Sequence, residues 1–437
     1  MIKRFSFFSF LSESILIFII IFAPFFFGSY LIFGRSILQL SSLFLLFIVI
    51  VRISIIPKPE IVYPASIFFM LSFFAVALFQ LIPLSKETLK LLSPNTLKLY
   101  QQYLSAADQR DSFTLSIYHF ATKERLAMLF ASFCLFFSVI NAVDKKSKFE
   151  RLVVIIILWA TGLAFYGIMK RFLIYGAHRI VFGTFGNRNH YAGYMVMMAP
   201  LAIGYALSCQ DKYKKLIFVF LGAVISASIF ISGSRAGTLS VLFALLCLPL
   251  LLSGKVSTKN NRWVVPAVFI FLIILLLMGE AEDLHDKFSR VRVLHDLRWT
   301  IFGDSLRLMR DFPLFGIGLG NFQYIFTKYT SFFGTFTMHL HNDYFQLLVE
   351  TGFIAFIFCT LFFIMVFKEI LKQLQKTEDP FIRNLVAGGL SGLFGILLHA
   401  GFSFHFHIPA SLFMFWLILG LMYKCVHSRF IYEEKGT

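Results

Sequence analysis

The sequence predicts an all-α membrane protein that crosses the bilayer about twelve times, and three features of its composition support this fold class. Of its 437 residues, 58% are hydrophobic and only 14% are charged, whereas soluble domains carry about 25% charged residues. The mean hydropathy is +0.79. The apolar residues are grouped in blocks of about twenty, the length that a helix needs to cross a bilayer. A soluble enzyme, a disordered chain and a small disulfide scaffold are therefore excluded.

The apolar blocks define the predicted spans. The first follows Lys3 and Arg4, but it is too long for a signal peptide and lacks a small-residue cleavage site, so we expect it to remain as a helix. The twelve spans are 14–33, 37–56, 61–83, 126–143, 152–169, 191–208, 216–233, 236–253, 263–279, 345–367, 385–404 and 409–423.

The formal net charge of +17 is explained by membrane orientation better than by nucleic-acid binding. Lysine and arginine are spread over all the short connections, whereas a nucleic-acid site gathers them in one basic stripe. The short connections on one side of the predicted spans are uniformly basic, as the positive-inside rule expects of cytoplasmic loops. The sequence therefore predicts cytoplasmic N- and C-termini and no nucleic-acid partner.

This topology divides the chain into three regions. Residues 1–279 carry spans one to nine and an outer loop near 84–125, residues 280–344 form a large outer loop, and residues 345–437 carry spans ten to twelve and a cytoplasmic tail. Between Lys86 and Tyr100, apolar and cationic residues alternate near helical spacing, which predicts an amphipathic helix at the membrane surface. In the large loop we expect short helices, beginning with the mixed-charge run up to Arg298.

Histidines are concentrated on the outer side of this topology. Ten of the eleven, all but His427, fall on or near it. Imidazole titrates near neutral pH and can transfer protons, so this distribution indicates chemistry at the outer boundary. The alternative is that the outer loops are simply longer and hold more of every residue type.

The strongest local pattern precedes the tenth span, where His339 and His341 are followed by Asn342 and Asp343. Asn342 or Asp343 is expected to cap the helix that begins there. His341 would then lie at the mouth of the bundle, where the positive end of the helix favours the neutral imidazole, the form that accepts a proton. The alternative is a capping motif with an incidental histidine.

Arginines occur at the same predicted depth in three other segments. Arg235 separates two apolar blocks, Arg298 precedes the glycine-rich stretch 311–322, and Arg188 begins the sixth span beside His190. An arginine near hydrocarbon normally faces a cavity or a partner, although it can also reach lipid headgroups. Guanidinium fits phosphate oxygens, so these arginines with histidine indicate a lipid-linked diphosphate substrate.

The glycine-rich stretch could also approach an anion through its backbone amides. No metal or other cofactor is expected, because no carboxylate-rich cluster accompanies the histidines.

Together, these segments resemble the O-antigen ligase and polymerase family of bacterial envelope glycosyltransferases. The resemblance implies a GT-C-like fold in the bacterial inner membrane, an active site facing the periplasm and a role in lipopolysaccharide biosynthesis. It also implies metal-independent, inverting transfer of a glycan from undecaprenyl diphosphate to a lipid A-core sugar or to a second lipid-linked glycan. The matching segments are Gly186–His190, Ser234–Gly237, Arg298–Trp299, Asp311–Gly316, His341–Tyr344 and Glu350–Gly352.

The same resemblance implies roles for individual residues. His341 would be the catalytic base, and Arg235 and Arg298 would bind the donor diphosphate. The residues expected to orient donor or acceptor are Arg188, His190, His339, Asn342 and Asp343.

Other functions remain open at this point. We favour a ligase over a polymerase, because twelve spans with one large outer loop before His341 fit the ligase plan. A transporter of lipid-linked glycans is the main alternative from another class, but it should show paired broken helices in related halves, which the sequence lacks. A non-catalytic scaffold protein is a further alternative, but it would not need arginines and histidines at the same depth in the membrane.

Overall fold

The computed structural model describes residues 2–55, 61–104, 111–175, 182–252, 284–332 and 337–427. The described chain is almost entirely helical, and its only two strands, β1 (Leu84–Ser85) and β2 (Ser112–Phe113), form one antiparallel pair. In chain order the helices are α1 (Ile2–Phe22), α2 (Phe25–Ser29), α3 (Ile32–Ile55), α4 (Ile67–Phe79), α5 (Lys86–Leu92), α6 (Pro94–Tyr103), α7 (His119–Ala142), α8 (Lys146–Lys170), α9 (Arg188–Ser208), α10 (Lys212–Ile231), α11 (Arg235–Leu252), α12 (Leu284–Asp311), α13 (Phe322–Ile325), α14 (Asp343–Lys376), α15 (Pro380–Ala400) and α16 (Pro409–His427).

The predicted all-α, multi-pass membrane class is confirmed. Within the described ranges, nine helices are long and apolar enough to cross a membrane: α3, α7, α8, α9, α10, α11, α14, α15 and α16. Two shorter apolar helices, Phe7–Phe22 and α4, overlap the predicted spans 14–33 and 61–83 in part. The predicted span 263–279 lies outside the described residues, so the total of twelve stays a prediction.

The first predicted span, 14–33, is wrong at its C-terminal end. Helix α1 ends at Phe22, and the chain then turns through left-handed backbone, with φ of 53° at Phe26 and 58° at Ser29. The Ser29 hydroxyl donates a hydrogen bond to the carbonyl of Ala23 at 2.9 Å, which closes this turn. An unbroken apolar run indicates burial in lipid or protein, but it carries no signal of the reversal.

The helices in the two predicted outer loops differ in number and length from those expected. The expected amphipathic helix near 84–125 is two helices, because the chain breaks between α5 and α6 at Ser93, where Pro94 starts the second helix. These helices and the β1–β2 pair bury a small core that includes Leu89, Tyr100 and Leu115. In the loop 280–344, the first helix is long instead of short: α12 covers 28 residues.

The bundle has two chemically different ends. One end is where α15 ends and where five helices begin: α7, α9, α11, α14 and α16. At this end Arg125, in the first two turns of α7, donates a hydrogen bond to the carbonyl of Phe406 before α16 (3.0 Å). We call this the histidine end, defined by His341 and Phe404. At the opposite end, Arg52 pairs with Asp144 at 2.9 Å, and the ammonium of Lys148 donates to the carbonyl of Ala142 at 2.8 Å.

Candidate active site

Six histidines converge on the turn between α15 and α16. The ring of Phe404 in this turn lies 4.7 Å from the ring of His190, 4.2 Å from His339 and 5.1 Å from His341. The ring of His405, the next residue, lies 4.0 Å from the ring of His399. His407 completes the group, 4.6 Å from His339. The turn 401–408 therefore joins the starts of α9 and α14 to the end of α15.

His341 lies at the entrance of α14. Asn342 is the predicted N-cap, and its side-chain oxygen accepts a hydrogen bond from the backbone N–H of Phe345 at 3.0 Å. His341 itself has a φ of 59°, a left-handed conformation that is rare for a residue with a side chain. Such strain persists only where surrounding contacts hold it, and it clusters at functional sites.

The environment of the half-buried His341 keeps its imidazole neutral. Burial, helped by the positive charge of Arg298, lowers the pKa of His341 to about 4. The sequence predicted a neutral imidazole from the positive end of the helix. In the structure, burial and the charge of Arg298 favour the same neutral form. Within the described part of the chain, neither ring nitrogen of His341 makes a hydrogen bond. The imidazole is free to accept a proton from a bound hydroxyl.

The three predicted arginines belong to three different helices at the same end of the bundle as this imidazole. Arg298 on α12 interacts electrostatically with His341, which in turn interacts with His190. Arg188 and Arg235 are the first residues of α9 and α11 and interact electrostatically with each other. The guanidinium of Arg188 reaches the turn before α11, because its Nη1 would lie 3.3 Å from a Cβ atom at Gly233. Over the residues that the structure describes, no carboxylate pairs with Arg188, Arg235 or Arg298. Cations without carboxylate partners at one end of the bundle favour an anionic ligand there.

Local hydrogen bonds explain why these arginines lie side by side. Asn187 caps α9 by accepting from the backbone N–H of Asn189 at 2.8 Å. The hydroxyl of Ser234, directly before α11, donates to the side-chain oxygen of Asn189 at 2.8 Å. The same hydroxyl oxygen accepts from the backbone N–H of Gly237 at 3.2 Å. These contacts hold the starts of α9 and α11 together, and with them Arg188 and Arg235.

Asp343, predicted to orient a substrate, is buried and bonded to protein. One carboxylate oxygen lies 2.9 Å from Nδ1 of His407, and the other accepts from the backbone N–H of Phe406 at 3.1 Å. Burial lowers the pKa of His407 well below its ordinary value, so its imidazole is neutral. A neutral imidazole that donates from Nδ1 can accept at Nε2, where the amide nitrogen of Gln346 lies at 3.0 Å. Asp343 thus anchors the turn 401–408, which we call the Phe404 turn.

A further polar layer lies behind this pair, and neither Gln346 nor Arg125 was identified as part of it from the sequence. The amide nitrogen of Gln346 also donates to Glu350 at 2.9 Å and lies 3.4 Å from Nδ1 of His339. Arg125 on α7 interacts electrostatically with both Glu350 and Asp343. The spacing of residues 343, 346 and 350 places them on one face of a helix, and this was the signal available.

The glycine-rich stretch has a structural role. Helix α14 is interrupted at Gly352, where φ is 71°, and Gly316 packs into the break: a Cβ atom at Gly316 would lie 2.4 Å from the carbonyl oxygen of Glu350. The backbone amides in the stretch bind protein acceptors: Ile317 to Val349, Gly318 and Gly320 to Glu350, and Leu319 to Gln80. These four amides are therefore engaged by protein acceptors, which does not favour the possibility that they bind an anion.

The fold and this arrangement define a multi-pass membrane protein with a cationic, histidine-rich site at one end of its helical bundle. Residues 216–360 match the family model described as O-antigen ligase, and this match confirms the resemblance to the O-antigen ligase family. No curated protein matches the chain. The match supports a ligase- or polymerase-type activity in general, that of a glycosyltransferase-type enzyme in O-antigen processing.

Proposed function

We propose that this protein is an O-antigen ligase-like enzyme that transfers a glycan from undecaprenyl diphosphate to a sugar hydroxyl of the lipid A core. The reaction would be inverting and metal-independent, and it would take place at the periplasmic face of the bacterial inner membrane. The observation that carries this proposal is the neutral imidazole of His341 beside the cation of Arg298, at the end of the bundle where Arg188 and Arg235 begin their helices.

In this mechanism His341 is the base. Its neutral imidazole removes a proton from the acceptor hydroxyl, while the hydroxyl oxygen forms a bond to the anomeric carbon of the donor sugar. The bond from that carbon to the diphosphate oxygen breaks on the opposite face, so the configuration inverts and undecaprenyl diphosphate leaves with the bonding electrons. The imidazolium then returns its proton to water. The open ring nitrogens and the low pKa of His341 suit this role.

The arginines act on the leaving group. Negative charge grows on the diphosphate as its bond to carbon breaks, and guanidinium groups placed in advance stabilise that charge more in the transition state than in the ground state. Arg298 interacts electrostatically with His341, and Arg235 with Arg188. We assign diphosphate binding to Arg235 and Arg298, and assistance in orienting the donor to Arg188. His190 and His339 both contact Phe404 and would orient the acceptor through that ring.

Purified protein in nanodiscs, supplied with glycan on undecaprenyl diphosphate and with lipid A core, tests this function. The expected result is release of undecaprenyl diphosphate together with glycan-bearing lipid A core. His341→Ala should lower the rate by about 100- to 10,000-fold, the contribution of a general base. His119→Ala is the matched control, because His119 is an exposed histidine at the same end of the bundle, at the start of α7.

The products separate the alternatives. If lipid-linked polymer forms and the core stays unmodified, the enzyme is a polymerase of the same family. If glycan crosses the bilayer without release of undecaprenyl diphosphate, the protein is a transporter and the proposal is wrong. Full activity of folded His341→Ala protein would exclude this histidine as the base.

A further inference from the structure

A second cationic site lies away from His341, at the junction of the two predicted outer loops. It is a cavity of about 350 Å³ lined by Arg307, Arg310, Asp311, Lys328 and Tyr329. Its walls are joined across the loops: the side chain of Asn95 on α6 donates to the carbonyl oxygen of Asp311 at 3.0 Å, and the Lys328 ammonium donates to Gln102 at 2.9 Å. We call this cavity the α12 cleft.

The α12 cleft carries excess positive charge. Three of its five lining residues are cations, and its single carboxylate, Asp311, already accepts a hydrogen bond from the Tyr329 hydroxyl at 2.5 Å. Arg307 pairs with Asp304, yet its side chain remains 58% exposed. Arg310 is exposed and has no carboxylate partner among the described residues. Arg307 and Arg310 are three residues apart, so their side chains lie on the same face of α12.

The cleft is too far from the catalytic site to bind the same diphosphate. Arg298 and Arg310 belong to one helix and are separated by twelve residues, which corresponds to about 18 Å along the helix axis at 1.5 Å per residue. A diphosphate beside Arg298 and His341 cannot extend over that distance. A glycan whose one end lies at His341 can, because sugar units continue along the protein surface from the point of transfer.

We propose that the α12 cleft binds an anionic substituent, a phosphate or a carboxylate, on the glycan part of a substrate. This inference rests on the proposed glycosyl transfer at His341 and adds to it a preference for charged glycans. Arginine suits the planar geometry of both anions, and lysine adds a point charge. The anion could belong to the acceptor glycan or to the donor glycan, which share this chemistry.

A binding measurement tests the cleft without requiring catalysis. The probe is a fluorescent oligosaccharide that bears phosphate monoesters, compared with its dephosphorylated form, on full-length protein in zwitterionic detergent. Wild-type protein and His341→Ala should both prefer the phosphorylated probe. The double variant Arg310→Ala with Lys328→Ala should weaken its binding by about tenfold or more, since each charge-assisted hydrogen bond contributes on that scale.

Two further variants make the result specific. Lys98→Ala on α6 removes one exposed cation from outside the cleft lining, and it should leave probe binding unchanged. The exchange of Arg310→Lys with Lys328→Arg keeps both charges and should retain binding within a few fold. Equal binding by the alanine double variant, or an equal loss in Lys98→Ala, would overturn the proposal.

Transfer assays then assign the anion to its source. With a phosphorylated acceptor, the alanine double variant should raise KM for the acceptor if the cleft binds the acceptor glycan. With an acidic donor glycan, it should raise KM for the donor instead. In either case kcat should change little. If the wild-type protein binds the probe but transfers no glycan, the proposed function fails while the anion site stands.

Discussion

The Nδ1 atom of His407 lies 2.9 Å from a carboxylate oxygen of Asp343, and this pair fastens the turn that carries Phe404 to the first turn of α14. Phe404 contacts three histidines, including His341, so we expect the bond between His407 and Asp343 to help position the imidazole that we propose as the base. Asp343 and His407 are therefore positioning residues in our interpretation, and neither needs to touch a substrate.

Asp343→Ala should leave the Nδ1–H of His407 and the backbone N–H of Phe406 without acceptors. Each unpaired buried donor costs about 1–3 kcal/mol, so the thermal midpoint in detergent should fall and kcat should fall with it, while KM for the donor changes less. Asp211→Ala is the control, because Asp211 caps α10 at an exposed position at the opposite end. Unchanged kcat in Asp343→Ala would contradict the positioning role.

The pH dependence of kcat/KM for the donor reports the free enzyme. The base must be neutral, and the pKa of His341 is lowered to about 4, so activity should persist below the ordinary histidine value of about 6.5 and decline only as the pH approaches 4. Arg298→Gln removes a cation that lowers this pKa, so its acid limb should move upward. An acid limb at 6.5 or above in the wild type would contradict the assignment.

Arg235→Lys and Arg298→Lys should each be poorly tolerated, although the charge is kept. Lysine lacks the planar fork that binds two oxygens of a diphosphate at once. We expect kcat to fall by about 100- to 1,000-fold, the scale on which the loss of one transition-state donor acts. Arg151→Lys is the comparison, since Arg151 pairs with Glu13 at the other end of the bundle. Wild-type kcat in both lysine variants would argue against diphosphate binding.

Gly193→Ala should disturb the site from within α9. A Cβ atom at Gly193 would lie 2.3 Å from ring atoms of His405, so the ring and the turn that carries Phe404 would have to shift. Overpacking of this kind costs about 1–3 kcal/mol. Gly162→Ala on α8 is a matched helical control, because no atom lies within 4 Å of its added Cβ. Equal thermal midpoints and equal transfer rates for the two variants would show that His405 tolerates displacement.

The sequence predicted much of this architecture because its signals were local. Apolar blocks identified the helices, and Asn342 identified the start of α14. His341 and the three arginines were selected as candidate site residues because each lies next to a predicted span. Gln346, His407 and Arg125 could not be predicted in this way, since their roles depend on which faces of α7, α14 and the Phe404 turn meet. The reversal after Phe22 was missed because its phenylalanines are apolar on both sides of the turn.

The side chain of Gln80 has a consequence for how the protein can be divided. Its amide nitrogen donates to the carbonyls of Phe315 and Glu350 at 2.6 and 3.0 Å, and its oxygen accepts from the N–H of Leu319 at 3.1 Å. Residues 216–360, which match the family model, are thus held in part by hydrogen bonds from Gln80 at the end of α4. Arg188, which interacts with Arg235 of this segment, belongs to α9. A fragment limited to residues 216–360 would lack both, so the signature marks a region of a cooperative whole and not a separable module.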